Sequence, residues 1–230
     1  PNYPSGSIFS EYENEPKAYC SYKGVEIVRV PIMVRGQSGR QLALNYLSFI
    51  ISGTVIGLFK LRKQRFDSIF VFEPSPITVG LPAIVFRYFK KAPLVFWVLD
   101  LWPDTLEAVG VVRSERILKL VGWLVSYIYK RCDLVLAQSK SFISHIKKYA
   151  GHDRIAYFPG WAESVFSVDQ FRSPKSRSDN AQFNIVFAGN VGVSQDFPTV
   201  LKAMELLKDD EKICWTIVGD GRMSVWLATE

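Results

Sequence analysis

Short apolar runs alternate with longer helix-patterned stretches along most of this 230-residue chain, and that alternation limits the folds open to it. Segments 25–30 (VEIVRV), 68–72 (SIFVF), 94–99 (LVFWVL), 133–137 (DLVLA) and 154–158 (RIAYF) have the length and the β-branched or aromatic content of strands. Several are almost wholly apolar, as strands buried on both faces should be. Helix-patterned stretches lie between them, at 41–63, 76–89, 114–131 and 139–150. Strand and helix in turn, with short connections, predict an α/β fold with a doubly wound parallel sheet.

The polar, turn-rich segment 168–182 reads as a linker or exposed loop. After it the rhythm restarts with a strand at 183–188 (FNIVFA), a helix at 197–208 and a strand at 213–218 (ICWTIV). The organisation expected is a first domain at 1–167, a linker at 168–182 and the start of a second α/β domain at 183–230. Two strands in roughly 50 residues bury too little for a core of their own. The chain begins at Pro1 rather than Met, and 222–230 reads as the opening of a helix. It is expected to be a piece of a longer protein, truncated at both ends and inactive alone.

A hydrophobic share of 48% and a charged share of 22% argue against disorder. Cys20, Cys132 and Cys214 are too widely spaced for a CxxC metal site or a disulfide framework, which points to a reducing, cytoplasmic compartment. His145 and His152 are the only histidines. No HExxH, His/Cys cluster or DxD pair suggests a metal, so no cofactor is expected. The absence of a GxSxG elbow, a P-loop and a GxGxxG fingerprint argues against a nucleophilic hydrolase, a P-loop NTPase and an NAD-binding domain.

The net charge of +6 fits nucleic acid, anionic lipid or a phosphorylated substrate. Its distribution favours lipid over nucleic acid. Arg35 and Arg40 precede an uncharged run at 41–59, and Lys60, Arg62, Lys63 and Arg65 follow it. As a helix that run would be about as long as a bilayer's hydrocarbon core is thick. Asn45, Ser48, Ser52, Gly53, Thr54 and Gly57 lower its apolarity. It reads as a buried crossover helix, an interfacial helix that also packs on the sheet, or a true span.

Ligands of open α/β sheets bind beyond the carboxyl ends of the strands. Asp100-Leu101-Trp102-Pro103-Asp104 follows one strand there. Its carboxylates can orient or deprotonate a sugar hydroxyl and its indole can carry a sugar ring, although Asp104 can equally cap a helix starting at Thr105. Glu73 follows another strand, before a proline pair. Ser139 follows a third, as an N-cap or a substrate contact. In the second domain Gly189-Asn190-Val191-Gly192 and Gly219-Asp220-Gly221 are tight turns after adjacent strands, where backbone N–H groups can approach a phosphate.

The segments 98–112 (VLDLWPDTLEAVGVV), 133–142 (DLVLAQSKSF), 158–163 (FPGWAE), 183–207 (FNIVFAGNVGVSQDFPTVLKAMELL) and 216–222 (TIVGDGR) together resemble the retaining glycosyltransferase family 4. They resemble in particular its bacterial members that build O-antigen and colanic-acid-type polysaccharides. PNYPSG at 1–6 is similar to the segment after the first strand of those enzymes. The resemblance implies a GT-B architecture of two Rossmann-like domains and a metal-independent, front-face transfer from a nucleotide-sugar. Asp100 and Asp104 would be catalytic. Gly189, Asn190, Gly192, Gly219, Gly221 and Arg222 would bind the donor, and Glu73, Trp102 and Ser139 the acceptor. The acceptor implied is a polyprenyl-diphosphate-linked saccharide, with the enzyme peripheral at the inner face of the cytoplasmic membrane. No nucleic-acid partner is expected.

The chain departs from the family pattern in places. Where the family loop carries Arg and Lys for the diphosphate, this sequence has Asn190 and Gln195. Leu99 stands at the usual His, and the E-x7-E motif would lie past Glu230. A sugar-nucleotide epimerase of the same fold and a non-catalytic membrane-associated scaffold are the alternative readings.

Overall fold

A computed structural model describes residues 10, 19–36, 38–108, 110, 112, 114–161 and 182–229. The expected linker at 168–182 lies outside them except for Gln182, as does PNYPSG at 1–6. The chain divides into two compact units, residues 1–106 with 112–160, and 107–111 with 161–230.

The first unit is built on four parallel strands, β3 (Ile69–Glu73), β4 (Leu94–Val98), β5 (Leu134–Ala137) and β6 (Ile155–Tyr157), in that spatial order. The connecting helices are α2 (Gly80–Lys90), a short α3 (Asp104–Ala108) followed by α4 (Glu115–Tyr129), and α5 (Phe142–Ala150). Because every crossover steps in the same direction, right-handed connections bring α2, α4 and α5 to one face. The strand period of two then separates the residues cleanly. Leu94, Phe96, Val98, Val135 and Ala137 join Ala83, Val125, Ile128, Tyr129, Ile146 and Ala150 in one buried cluster. The opposite face carries an aromatic group in which the Trp97 ring meets Phe72 at 5.4 Å and Phe158 at 5.1 Å between centroids. Trp97 also donates its Nε1–H to the Phe158 carbonyl at 3.0 Å.

The segment at 25–30 does not enter this sheet. Only β2 (Val25–Glu26) is a strand, paired antiparallel with β1 (Ser21–Tyr22) across a turn in which Lys23 and Gly24 have φ of 47° and 83°. Both central residues with positive φ is the mark of a type I′ hairpin turn. Past β2 the Ile27 N–H still donates to the Cys20 carbonyl at 2.8 Å, but the Arg29 carbonyl is taken by Lys60 Nζ at 2.9 Å rather than by a further strand, and the Glu26 carboxylate accepts from the Gln64 amide at 3.0 Å.

The uncharged run forms α1 (Gly39–Lys60), opened by a Ser38/Gln41 capping box. Its burial is inverted. Ser52, Gly53 and Gly57 are its buried residues, and a Cβ on Gly57 would stand 3.1 Å from the Phe86 ring of α2. The small face thus permits close packing on α2, while Leu44, Leu47, Ile51, Val55 and Phe59, spaced three or four apart, are 45–65% exposed. This is a poor match to a buried crossover helix. By length and composition α1 is apolar enough to cross a membrane, with a mean hydropathy of 1.8.

The second unit contains a parallel pair, β7 (Phe183–Ala188) and β8 (Ile213–Val218), joined through α6 (Phe197–Leu206) and followed by the short α7 (Ser224–Leu227). Phe197 is fully buried, with its ring 5.1 Å from Phe187.

Candidate active site

In the first unit, the parallel arrangement carries Glu73, Asp100, Trp102, Asp104 and Ser139 to one edge, since each ends or shortly follows a strand. The ladder continues into this edge through the Leu99 N–H to the Glu73 carbonyl at 3.2 Å and the Gln138 N–H to the Val98 carbonyl at 3.4 Å.

Glu73 points into the core face. It is 0% exposed, and neither carboxyl oxygen has a hydrogen-bond partner among the described residues. Burial, helped by the negative charge of Asp100, pushes its carboxyl up to about 9, while the nearby backbone of Asp100 and Leu99 pulls only weakly the other way. It is therefore a neutral acid at physiological pH, and in this conformation it offers no surface to an acceptor. The adjacent Pro74-Ser75-Pro76 turn contains a cis Ser75–Pro76 peptide.

Asp100 accepts from Thr105 Oγ1 at 2.6 Å. Asp104 is not the cap of a helix beginning at Thr105: it is the first helical residue of α3, and its carboxylate meets His145 Nδ1 of α5 at 2.8 Å. Both side chains of this pair are about two-fifths exposed. Trp102 packs on the core cluster and buries an indole N–H with no partner among the described residues. Ser139 lies 2.9 Å from Ser141 Oγ and accepts weakly from the Ser141 N–H at 3.4 Å, ahead of the helix rather than as its cap.

His145 was passed over in the sequence because it stands 41 residues from Asp104. A signal was present: Asp104 lies just past one strand and His145 in the first turn after the next, so both fall on the same edge of a parallel sheet.

In the second unit the two glycine turns pack on each other. The Gly189 N–H donates to Val218 at 2.9 Å and the Val191 N–H to Asp220 at 2.9 Å, extending the β7–β8 ladder into the turns. Gly219 has a φ of 148°, and a Cβ there would sit 1.8 Å from the Gly189 carbonyl oxygen; one on Gly221 would sit 2.2 Å from that of Val191. Glycine is required here by backbone contact alone. The Gly192 N–H is shared between the Asn190 carbonyl at 3.0 Å and the Gln195 side chain at 3.2 Å. The Gly221 N–H donates to the Asp220 carboxylate at 2.7 Å, so four of the amides expected to face a phosphate already have acceptors. Arg222 is exposed with no ion pair among the described residues. No three His, Cys, Asp or Glu side chains form a metal-holding group among the described residues.

The chain is 29% identical over 157 residues to a Pseudomonas aeruginosa protein named as a glycosyltransferase, WbjE, covering 66% of this chain and 38% of that protein. The chain is similar to bacterial glycosyltransferases. It is also 23% identical over 233 residues to the Escherichia coli K12 protein WcaI, named as a colanic acid biosynthesis glycosyl transferase, covering 96% of this chain and 56% of that protein. The matches take in about half or less of the length of these relatives. No family model matches the chain.

Proposed function

We propose that the protein carrying this chain is a glycosyltransferase that moves a sugar from a nucleotide-sugar, a UDP-sugar in the simplest case, to a lipid-linked saccharide in bacterial surface polysaccharide synthesis. The observation that carries this reading is the similarity to WcaI along 96% of the chain, through the strand-end loops of both units. The reaction breaks the bond between the anomeric carbon and the diphosphate oxygen and forms one from that carbon to an acceptor hydroxyl oxygen. The hydroxyl proton leaves with the nucleoside diphosphate, and the sugar keeps its configuration. No metal is invoked.

In this reading Asp100 and the Asp104–His145 pair orient the acceptor hydroxyl. Trp102 carries a sugar face, with its buried N–H as a spare donor, and Ser139 contacts the acceptor. Gly189, Asn190, Gly192, Gly219, Gly221 and Arg222 form the donor end. The neutral Glu73 fixes the floor of the edge. The exposed stripe of α1 and the basic residues at its ends hold the enzyme at the cytoplasmic face of the membrane, α1 lying in the interface rather than across it.

The test is nucleoside diphosphate release by the full-length protein from UDP-, GDP- and dTDP-sugars in EDTA, with and without a polyprenyl-diphosphate-linked saccharide. Acceptor-dependent release from one donor supports the proposal. Absence of both binding and release for every donor would favour a scaffold, the reading that Asn190 and Gln195 in the diphosphate loop support.

A further inference from the structure

Two further residues, Tyr149 and Gly122, converge on the Asp104–His145 pair. His145 and Tyr149 stand about one turn apart on α5, so both side chains leave the same face of that helix. The His145 Nδ1–H donates to Asp104 at 2.8 Å, and the imidazole Nε2 has no partner among the described residues. Tyr149 lies where α5 meets α4 and the loop ahead of α3. A Cβ on the buried Gly122 of α4 would stand 3.2 Å from Tyr149 Cε1, 3.8 Å from its hydroxyl oxygen and 3.9 Å from Pro103 Cγ. The phenol and Pro103, the neighbour of Asp104, thus meet around one point, and the missing side chain of Gly122 leaves the ring its room. Ser126 Oγ donates to the Tyr149 carbonyl at 2.9 Å and pins this end of α5 to α4. Burial first, and then the negative charge of Asp104, raise the phenol above its ordinary value, so its hydroxyl stays a donor beside that carboxylate.

We propose that Tyr149 is a positioning residue for this pair: its hydroxyl donates to the Asp104 carboxylate beside His145, and the two donors together hold the imidazole with Nε2 towards an acceptor hydroxyl. The role of Nε2 rests on the glycosyl-transfer reading, and the coupling of Tyr149 to the pair does not. Asp104 and His145 are 43% and 39% exposed, so a single hydrogen bond between them competes with water. A carboxylate with one donor can turn and let the imidazole change tautomer, whereas its two oxygens can accept from a second donor on the same helix face. The Tyr149 hydroxyl is available for this, since it makes no hydrogen bond among the described residues, and such contacts tighten in the substrate complex. Gly122 completes the arrangement, because a side chain there would press on the ring that carries the hydroxyl.

The experiment compares the full-length wild type with Tyr149→Phe, which keeps the ring and removes only the hydroxyl. Transfer kinetics with a polyprenyl-diphosphate-linked saccharide are measured for both, with and without Asp104→Asn. The ring nitrogen and proton signals of His145, identified by their loss in His145→Gln, are followed by NMR with that acceptor present. Tyr149→Phe should lower kcat by about tenfold and leave acceptor KM and Tm unchanged. In the Asp104→Asn background the same change should cost less than about twofold. The His145 signals should move from one Nδ1–H tautomer towards a mixture of the two. Gly122→Ala should reproduce part of the kcat loss in wild type and none of it in Tyr149→Phe. Unchanged kcat with unmoved His145 signals overturns the proposal. An equal loss in the Asp104→Asn background overturns it too, since Tyr149 would then act elsewhere, and so does a kcat loss matched by a fall in Tm. The two readings fail separately. Full transfer by Tyr149→Phe with unmoved His145 signals removes the coupling and leaves glycosyl transfer standing. His145 signals that respond to Tyr149→Phe in a protein that transfers no sugar keep the coupling and remove the reaction.

Discussion

Replacing Glu73 by Gln should make the protein's stability less sensitive to pH. The carboxyl is 0% exposed and raised from 4.5 to about 9 in the folded state. Because the folded value lies above the unfolded one, the stability associated with this group is fully present below pH 4.5 and is lost as pH rises towards about 9. At pH 7 the unfolded chain gives up the proton and the folded protein keeps it. At about 1.4 kcal/mol per pH unit, wild type loses about 3 kcal/mol between pH 4.5 and 7 that Glu73→Gln does not lose. Urea unfolding followed by tryptophan fluorescence at about pH 5 and about pH 8 measures the difference between the two proteins. Asp100→Asn is the internal control, since the Asp100 charge is the second cause of the shift and its removal should reduce the pH sensitivity. Parallel pH profiles for wild type and Glu73→Gln would refute the argument, because a carboxyl indifferent to pH in this range is not a buried acid.

Gly219→Ala should cost about 3 kcal/mol or more, from a left-handed φ and a Cβ driven into the Gly189 carbonyl, and should show as loss of amide-exchange protection at Gly189 and Val191. Asp133 accepts from Arg87 at 2.8 and 2.9 Å and from the Leu94 N–H at 2.7 Å, which, Arg87 foremost, hold its carboxyl down to about 2. Its contribution is present above its ordinary value of 3.8 and lost as pH falls through about 2. With both partners over a third exposed, Asp133→Asn should cost only about 1 kcal/mol at neutral pH and nothing at pH 2, by thermal unfolding. Val55→Asp, on the exposed stripe of α1, should weaken sedimentation with phosphatidylglycerol vesicles by about tenfold, while a charge on a merely solvated face would change nothing. His145→Gln should lower transfer by about tenfold or more, and Asp104→Asn by a similar factor, with the double variant losing little beyond either single one; independent, additive losses in transfer kinetics would count against a paired role.

Much of the architecture was legible because it depends on local pattern. Leu94–Val98 and Leu134–Ala137 are apolar on both sides, so a buried parallel strand was the economical reading, and both pair as expected. The segment at 25–30 carried a similar signal, but only Val25–Glu26 finds a strand partner, in the β1–β2 hairpin: strand propensity is satisfied only when a neighbouring strand accepts the ladder, and further along the Arg29 carbonyl is taken by Lys60 instead. For the uncharged run, composition marked a membrane-compatible helix, but which side faced the protein depended on α2, whose Phe86 ring packs so closely that a Cβ on Gly57 would stand 3.1 Å from it. The site residues were legible by position, at strand ends. Their chemistry was not. Nothing in the string separates the buried, neutral Glu73 from the half-exposed Asp100, and the Asp104–His145 pair exists only once two strands are adjacent.

The central claim is best tested by direct product formation. A labelled nucleotide-sugar, the full-length protein and vesicles containing a polyprenyl-diphosphate-linked saccharide are incubated in EDTA, and the solvent-extracted lipid is counted. The account predicts label in the lipid fraction only when the acceptor is present. Label remaining in the aqueous phase with every donor, despite bound acceptor, would contradict it.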